Sequence, residues 1–384
     1  MAIFDKKVPI LKLDYSDEDI NFILNGVEQV LRSGFLTMSD RVVEFEHAFA
    51  KFCDVKYAVG TNSGTSSLEI IMRALDVNQG TVVMPSNTFM ATPLSAIKAG
   101  AKVIFTESEP HTLQMDPIDL EKKIRPDTKA VILVHIGGII SPQLAQIKEL
   151  CDSKNIPLIE DAAHAHGSEI SKQKAGSIGI AGSFSFYPTK VLSTAEGGMI
   201  TTNNRAIFQK AKILREHGKQ NHNLNVHTEI GDNWRYSEIH AVLGLQQMKK
   251  VKQILDKRRE IALIYDQKLE NFDLLKKMHI PSNINSSYYK YITFLPEVFD
   301  RSKVKSLLKD NYGIELPGEV YSHPCHSQPV FHNHPDLIQN DKDDIFPNTE
   351  NVCNTQLCLP IYPGLKSEEI NYVVDSIKNV LKNY

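Results

Sequence analysis

Lys190 lies at the centre of AGSFSFYPTKVLSTAEGGMITT, residues 181–202, after Phe184, Phe186, Tyr187 and Pro188 and before Ala195, Gly197, Gly198, Met199 and Ile200. Most lysines are solvated surface charges. One held between an aromatic run and a Gly-Gly turn is instead placed for partial burial, which lowers its pKa and makes the amine nucleophilic. Such an amine is what a Schiff base with a carbonyl substrate or with pyridoxal phosphate requires. The competing reading is a lysine that snorkels out of an apolar segment.

Other residues point to the same chemistry. IPLIEDAAHAHGSE puts Glu160 and Asp161 at the C-terminal end of a predicted buried strand, the edge where ligands sit in open α/β sheets. A carboxylate there, followed by His164, can project into a cleft and keep a pyridine nitrogen protonated. The plainer alternative has Asp161 capping the next turn and His164 packing locally. His164 and His166 raise a metal reading, but no cysteine-rich or H-E-x-x-H context accompanies them, so no metal site is expected. YAVGTNSGTSSLEI places Ser63, Gly64, Thr65, Ser66 and Ser67 at a strand-to-helix junction, where free N–H groups and the helix dipole favour an anion. Simple N-capping is the alternative. Ser185 can add a hydroxyl to the same anion, and Phe89 in PSNTFMAT can lie flat on a planar cofactor or pack in the core. Phosphate loop, aromatic ring, carboxylate, hydroxyl and lysine in that order describe one cofactor site.

These residues need a scaffold, and the periodicity supplies one. Short apolar, β-branched runs at 56–59, 81–84, 102–105, 130–134 and 156–159 alternate with helical segments at 65–75, within 85–100 up to Gly100, and at 117–124 and 142–151. That rhythm predicts an α/β unit with a mostly parallel central sheet flanked by helices. Two helices precede it: one uses Ile20, Ile23, Leu24, Val27, Val30 and Leu31 and stops at Gly34, and the other covers 41–53. Beyond 203, helices at 204–216 and 237–262 bracket a polar loop, 217–235. Strands at 291–295 and near 313–316, a His- and Pro-rich loop over 321–347 and a last amphipathic helix with Ile370, Val373, Val374, Ile377, Val380 and Leu381 follow. The division falls near 255: a large α/β domain over 1–255 and a smaller α+β domain over 256–384. A 384-residue chain is long enough for two such cores.

Composition narrows the partners. Apolar residues make up 42% and charged residues 23%, with a net charge of -3, so no basic bias argues for nucleic acid. No stretch approaches a membrane span, and MAIFDKKVPIL lacks the apolar run of a signal peptide. Cys53, Cys151, Cys325, Cys353 and Cys358 are scattered without C-x-x-C spacing and read as free thiols. A cytoplasmic location is the expectation. No G-x-G-x-x-G or G-K-[ST] loop is present, which argues against a dinucleotide or P-loop site.

The series SGTSSL, TFMAT, VHIGG, EDAAHAHG, FSFYPTK, EGGMITT, GDNWRYSEIHAVLGLQQ and LCLPIYPG resembles the DegT/DnrJ/EryC1/StrS family of sugar aminotransferases, which use pyridoxal phosphate (PLP) on the aspartate aminotransferase fold, fold type I. The match runs from about residue 10 to the C-terminus. By that resemblance Lys190 would carry PLP covalently and shuttle the proton, Asp161 would pair with the pyridine nitrogen, and His164 would sit near the ring face. Phe89 would stack on the ring, while Gly64, Thr65, Ser66 and Ser185 would hold the phosphate, completed by Asn233 of a neighbouring subunit. Tyr321 and His326 would lie at the sugar-binding mouth, His326 reaching across the dimer. The resemblance further implies a homodimer with shared active sites, an amino acid donor (glutamate or glutamine), and a nucleotide-linked 3- or 4-keto-6-deoxy sugar as acceptor. A keto-cyclitol acceptor, or a regulatory homologue that binds PLP without turnover, are the other readings. Family members that dehydrate sugars replace the lysine with His, so Lys190 argues against that activity.

Overall fold

The computed structural model describes residues 7–221 and 225–384. The first six residues, part of the N-terminal stretch read above, and residues 222–224 of the 217–235 loop lie outside the described residues. The central sheet has seven strands: β1 (Tyr57–Thr61), β2 (Thr81–Pro85), β3 (Lys102–Thr106), β4 (Thr128–Val134), β5 (Leu158–Asp161), β6 (Ala181–Ser185) and β7 (Gly198–Thr202). Their order is β1-β7-β6-β5-β4-β2-β3. Pairings from β3 through β6 are parallel, whereas β7 runs antiparallel to both β1 and β6. The sheet is therefore mixed, mostly parallel as the apolar runs predicted. β2, β5 and β7 are buried along their whole length, as strands covered on both faces must be.

Before the sheet come α1 (Asp17–Ser33) and α2 (Asp40–Phe52), and within it α3 (Gly64–Ala74) follows β1 and α4 (Ala91–Lys98) follows β2. In α2, Val42, Phe45 and Phe49 are buried as their spacing required. In α1 the apolar face found in the sequence is largely uncovered: Val30 is buried, but Ile20 is 45%, Leu24 61% and Leu31 59% exposed. Phe35 and Leu36, just beyond the helix, are exposed too.

The C-terminal part is organised by α5 (Glu238–Leu269), α6 (Arg301–Tyr312) and α7 (Ser367–Lys382) around an antiparallel sheet of β8 (Lys276–Lys277), β9 (Tyr291–Phe294) and β10 (Gln356–Leu359). The strand expected near 313–316 is reduced to a single bridge from Ile314 to Val8. Helix α5 passes unbroken through residue 255. One buried cluster fills the central sheet and takes in Ile284, Ile292, Phe331 and Cys358 as well. A second is built from Val8, Ile261, Tyr265, Leu308, Leu357, Ile370 and Ile377, among others.

Where β4 ends, VHIGG makes the turn that joins the two parts. Gly138 has φ +89°, and its carbonyl accepts hydrogen bonds from Ser168 Oγ at 2.6 Å and Ser286 Oγ at 2.8 Å. A Cβ there would fall 2.5 Å from Ser287 Oγ and 2.9 Å from both the His164 carbonyl and the Tyr289 nitrogen. Gly138→Ala is expected to destabilise the fold by about 1–3 kcal/mol from the left-handed backbone alone, with the crowding adding to it. A urea unfolding midpoint equal to that of wild type would show that the 286–289 segment yields instead.

Candidate active site

The sheet presents its functional side chains along the C-terminal edge of β5 and β6. A cleft of about 770 Å³ opens there, lined among others by Ser63, Gly64, Thr65, Phe89, Asp161, His164, Ser185, Lys190, Tyr289 and Tyr321. That volume suits a cofactor together with part of a substrate. Residues drawn from nearly every part of the chain thus meet in one place.

Asp161 is the last residue of β5, paired with Val134 on one side and Ser183 on the other. Its Oδ2 accepts the Thr92 hydroxyl at 2.8 Å and its Oδ1 the Ala163 N–H at 3.2 Å, and Thr92 is itself 2.8 Å from the Thr88 hydroxyl. Burial nonetheless holds the carboxyl above the ordinary carboxylate range, against these donors and the charges of Lys190 and His135. A buried carboxylate in this condition is matched to a cationic N–H entering the cleft.

Lys190 follows β6 in a turn, its N–H donating to the Tyr187 carbonyl at 2.9 Å. Burial brings the amine down to about 8, opposed by Asp161 and reinforced by Lys290. The amine lies 4.8 Å from the centroid of the Tyr289 ring. His164, on the turn after β5, stacks on the same ring at 4.1 Å and 20°. Burial pushes the imidazole well below its usual value, with Lys190 adding to the shift, so the ring is neutral. His164 Nε2 is 3.4 Å from the Tyr321 hydroxyl, and its buried Nδ1 has no partner among the described residues. Tyr321 in turn is near-parallel to Phe89, 6.3 Å between centroids and 24° between planes. Phe89 is 60% exposed, so the core-packing alternative does not hold.

At the other end of the cleft, helix α3 begins at Gly64, with Ser63 as its cap accepting the Ser66 N–H at 3.1 Å. Close packing makes this corner. A Cβ on Gly198 would sit 2.2 Å from the Ser63 carbonyl, and one on Gly64 would sit 2.9 Å from Ser185 Cβ. The EGG turn therefore lets β7 press against the cap while Ser185 approaches the helix start. Ser63, Gly64, Thr65 and Ser185 all line the cleft.

Ser66, His326 and Asn233 are not among the residues that line this chain's own cleft, and for the last two the expectation concerned the site of a neighbouring subunit. Ser66 turns its hydroxyl to Asn62 Oδ1 at 2.7 Å and to Ser63 Oγ at 2.9 Å, so it does not line the cleft. His326 is directed to Ser86 Oγ at 2.7 Å, lies against Phe346 and faces Glu350 at 3.5 Å, all within its own chain. Its neighbours Ser322, His323, Cys325 and Gln328 line the mouth in its stead. Asn233 is exposed and bridges Glu216, outside this chain's own cleft. Residues the sequence reading missed include Thr92, which orients Asp161, and Tyr289. Thr92 could have been found from TFMAT, where it lies one helical turn after Thr88; Tyr289 carries no local signal.

A family model for the DegT/DnrJ/EryC1/StrS aminotransferase family matches residues 17–378. The chain belongs to that family. It is 31% identical over 374 residues to the spore coat polysaccharide biosynthesis protein SpsC of Bacillus subtilis, covering 94% of each chain. It is 32% identical to a GDP-perosamine synthase of Caulobacter vibrioides, covering 88% of this chain and 90% of the relative. Among solved structures, S. venezuelae DesV in complex with a ketimine intermediate superposes with a TM-score of 0.90 at 26% identity, covering 98% and 99% of the two chains. The fold is that of fold type I transferases. Among the described residues no helix is long and apolar enough to cross a membrane, and no group of metal-ligating side chains occurs.

The raised carboxyl gives a test with a definite sign. A group whose folded pKa lies above its unfolded one contributes stability that is full below the unfolded value and is lost as pH rises through the folded value. In cofactor-free protein at neutral pH, Asp161→Asn is therefore expected to unfold at a urea midpoint equal to or above that of wild type. The advantage should vanish as the pH is brought below the ordinary carboxylate range. A lower midpoint at neutral pH would show that the ionised carboxylate is stabilising where it stands.

Proposed function

We propose that this aminotransferase moves an amino group from glutamate or glutamine to a nucleotide-linked 3- or 4-keto-6-deoxy sugar, with PLP as its cofactor. The observation that carries the reading is the pair Lys190 and Asp161 at one sheet edge, with Ser63, Gly64, Thr65 and Ser185 grouped at the start of α3 in the same cleft. The donor set fits the cofactor: an amine for an aldehyde, a carboxylate for a ring nitrogen, hydroxyls and a helix N-terminus for a phosphate. GDP-perosamine synthase activity in a relative supports the choice of a nucleotide-linked acceptor.

When bound, PLP supplies an aldehyde that captures amines and a ring that withdraws electrons from the carbon beside the captured nitrogen. The chain supplies the rest. Asp161 holds a proton on the pyridine nitrogen, and Thr92 fixes the carboxylate that does so. Lys190 Nζ, close to neutrality near pH 8, removes the proton from the donor Cα and later returns one to the carbon that gains the amine. Neutral His164 would lie near the ring without adding charge, and Phe89 would offer it a flat apolar surface. Gly64, Thr65 and Ser185 anchor the phosphate, Ser66 supporting them through the cap. Tyr321 stands at the mouth, where acceptor specificity is read. The cofactor-binding unit is assigned to residues 1–255 and the smaller unit to 256–384, and buried free thiols accord with a reducing cytoplasm.

The active form is read as a homodimer. Ile20, Leu24, Leu31, Phe35 and Leu36 leave an apolar row uncovered, and burying each such side chain is worth about 1.5–3 kcal/mol. Asn233, on the exposed part of the loop, is then available to a neighbour's phosphate site, and His326 to a neighbour's mouth. Leu24→Glu with Phe35→Glu is expected to shift the sedimentation coefficient to that of a monomer and to lower turnover at least about tenfold. A monomeric wild type would refute the shared site.

The deciding experiment converts the purified enzyme to its pyridoxamine form with glutamate and offers GDP-, UDP- and TDP-linked keto-sugars and a keto-cyclitol. Return of the original absorbance with a nucleotide sugar is expected. Lys190→Ala should lose all transamination and all borohydride-fixed cofactor. Retention of turnover in that variant would sink the assignment of the amine.

A further inference from the structure

The segment Ser286–Lys290 is held from several sides and brings one ring beneath the amine. From α5, buried Arg258 donates to the Tyr288 carbonyl at 3.0 Å and to the Tyr289 carbonyl at 3.1 Å. Arg259 beside it holds the Ser286 and Gly167 carbonyls, each at 3.1 Å. Ser287 Oγ donates to the His164 carbonyl at 3.0 Å. The backbone that carries Tyr289 is thus tied to the same turn that carries His164.

The ring of Tyr289 is buried against Val191 and Leu255. His164 stacks on it at 4.1 Å, its hydroxyl is 3.2 Å from that of Thr189, and Lys190 Nζ is 4.8 Å from its centroid. Thr189, Lys190 and Val191, three successive residues, all meet one aromatic side chain. Lys290 Nζ also lies 5.3 Å from the centroid, but it donates to the Gly318 carbonyl at 3.0 Å.

We propose that Tyr289 is a positioning residue for the Lys190 amine: its ring face attracts the ammonium and, through the stack, fixes the plane of His164. This rests on the reading of Lys190 as the amine that carries the cofactor. A cation within about 6 Å of an aromatic centroid is drawn to the ring's negative face, most strongly where water is excluded. The groups that face Lys190 are Asp161 from β5, His164 and His166 from the turn after it, and Lys290 beside Tyr289. Both histidines are kept neutral by burial, and Lys290 repels the ammonium. Asp161 and the Tyr289 ring are therefore what favour it. Tyr289 gives this support without presenting a carboxylate that would compete for the amine.

The test is the pH at which Lys190 becomes reactive. Cofactor-free protein is mixed briefly with pyridoxal phosphate over a range of pH, fixed with borohydride, and the label on the Lys190 peptide is measured. Tyr289→Phe keeps the ring and is expected to keep the wild-type midpoint. Phenylalanines carrying one, two or three ring fluorines at the same position drain the π face while preserving packing. They should move the midpoint down stepwise, by about one unit in total. A merely structural ring would give no such trend, and a flat series overturns the proposal. Absence of label on Lys190 in wild type would instead overturn the amine assignment, and this inference with it.

Discussion

Desolvation acts in opposite directions on the two groups that face the same cleft. It lifts the carboxyl of Asp161 and lowers the amine of Lys190, so each is driven toward its neutral form. A neutral amine and a neutral carboxyl are each suited to a partner of matching chemistry. The strand pairing of β5 with β4 and β6 places the carboxyl at this edge, and the turn after β6 places the amine. The Thr88–Thr92 pair at the start of α4, the cap of α3 and the 286–290 segment hold these two groups in place without neutralising them.

Much of this was legible in the sequence, because the residues concerned stand next to strong local signals. Asp161 ends an apolar β-branched run, Ser63 to Thr65 open a helix after another, and Lys190 follows an alternating aromatic strand. Contacts made across the chain were not legible. Thr92 meets Asp161 from a different crossover, and Tyr289 reaches Lys190 and His164 only because α5 pulls its backbone inward. Ser66, whose type and place suggest a phosphate contact, turns its hydroxyl to Asn62 and Ser63, partners that the spacing does not announce. His326 was drawn to Ser86 and Phe346, partners that no local pattern announces.

Periodicity carries the same lesson for α1. The spacing of Ile20, Leu24 and Leu31 reveals an apolar face but not what covers it, and within one chain that face stays open. The expected strand near 313–316 failed for a related reason. Apolar residues there found a burial site in the second cluster, with Ile314 making one bridge to Val8, and among the described residues no neighbouring strand extends that bridge into a ladder. The α/β rhythm itself survived because parallel strands, covered on both sides, leave so strong an imprint on composition.

Helix α5 is one rod of 32 residues whose side chains enter both buried clusters. Arg258 and Arg259 fasten the floor of the reaction chamber to its middle. The rim of that chamber, over Gly318–Gln328, meets β2's end through Ser86. That rim is also roped to the lysine's seat, since Lys290 donates to the Gly318 carbonyl and the Tyr321 hydroxyl meets His164, so doorway and hearth share one frame.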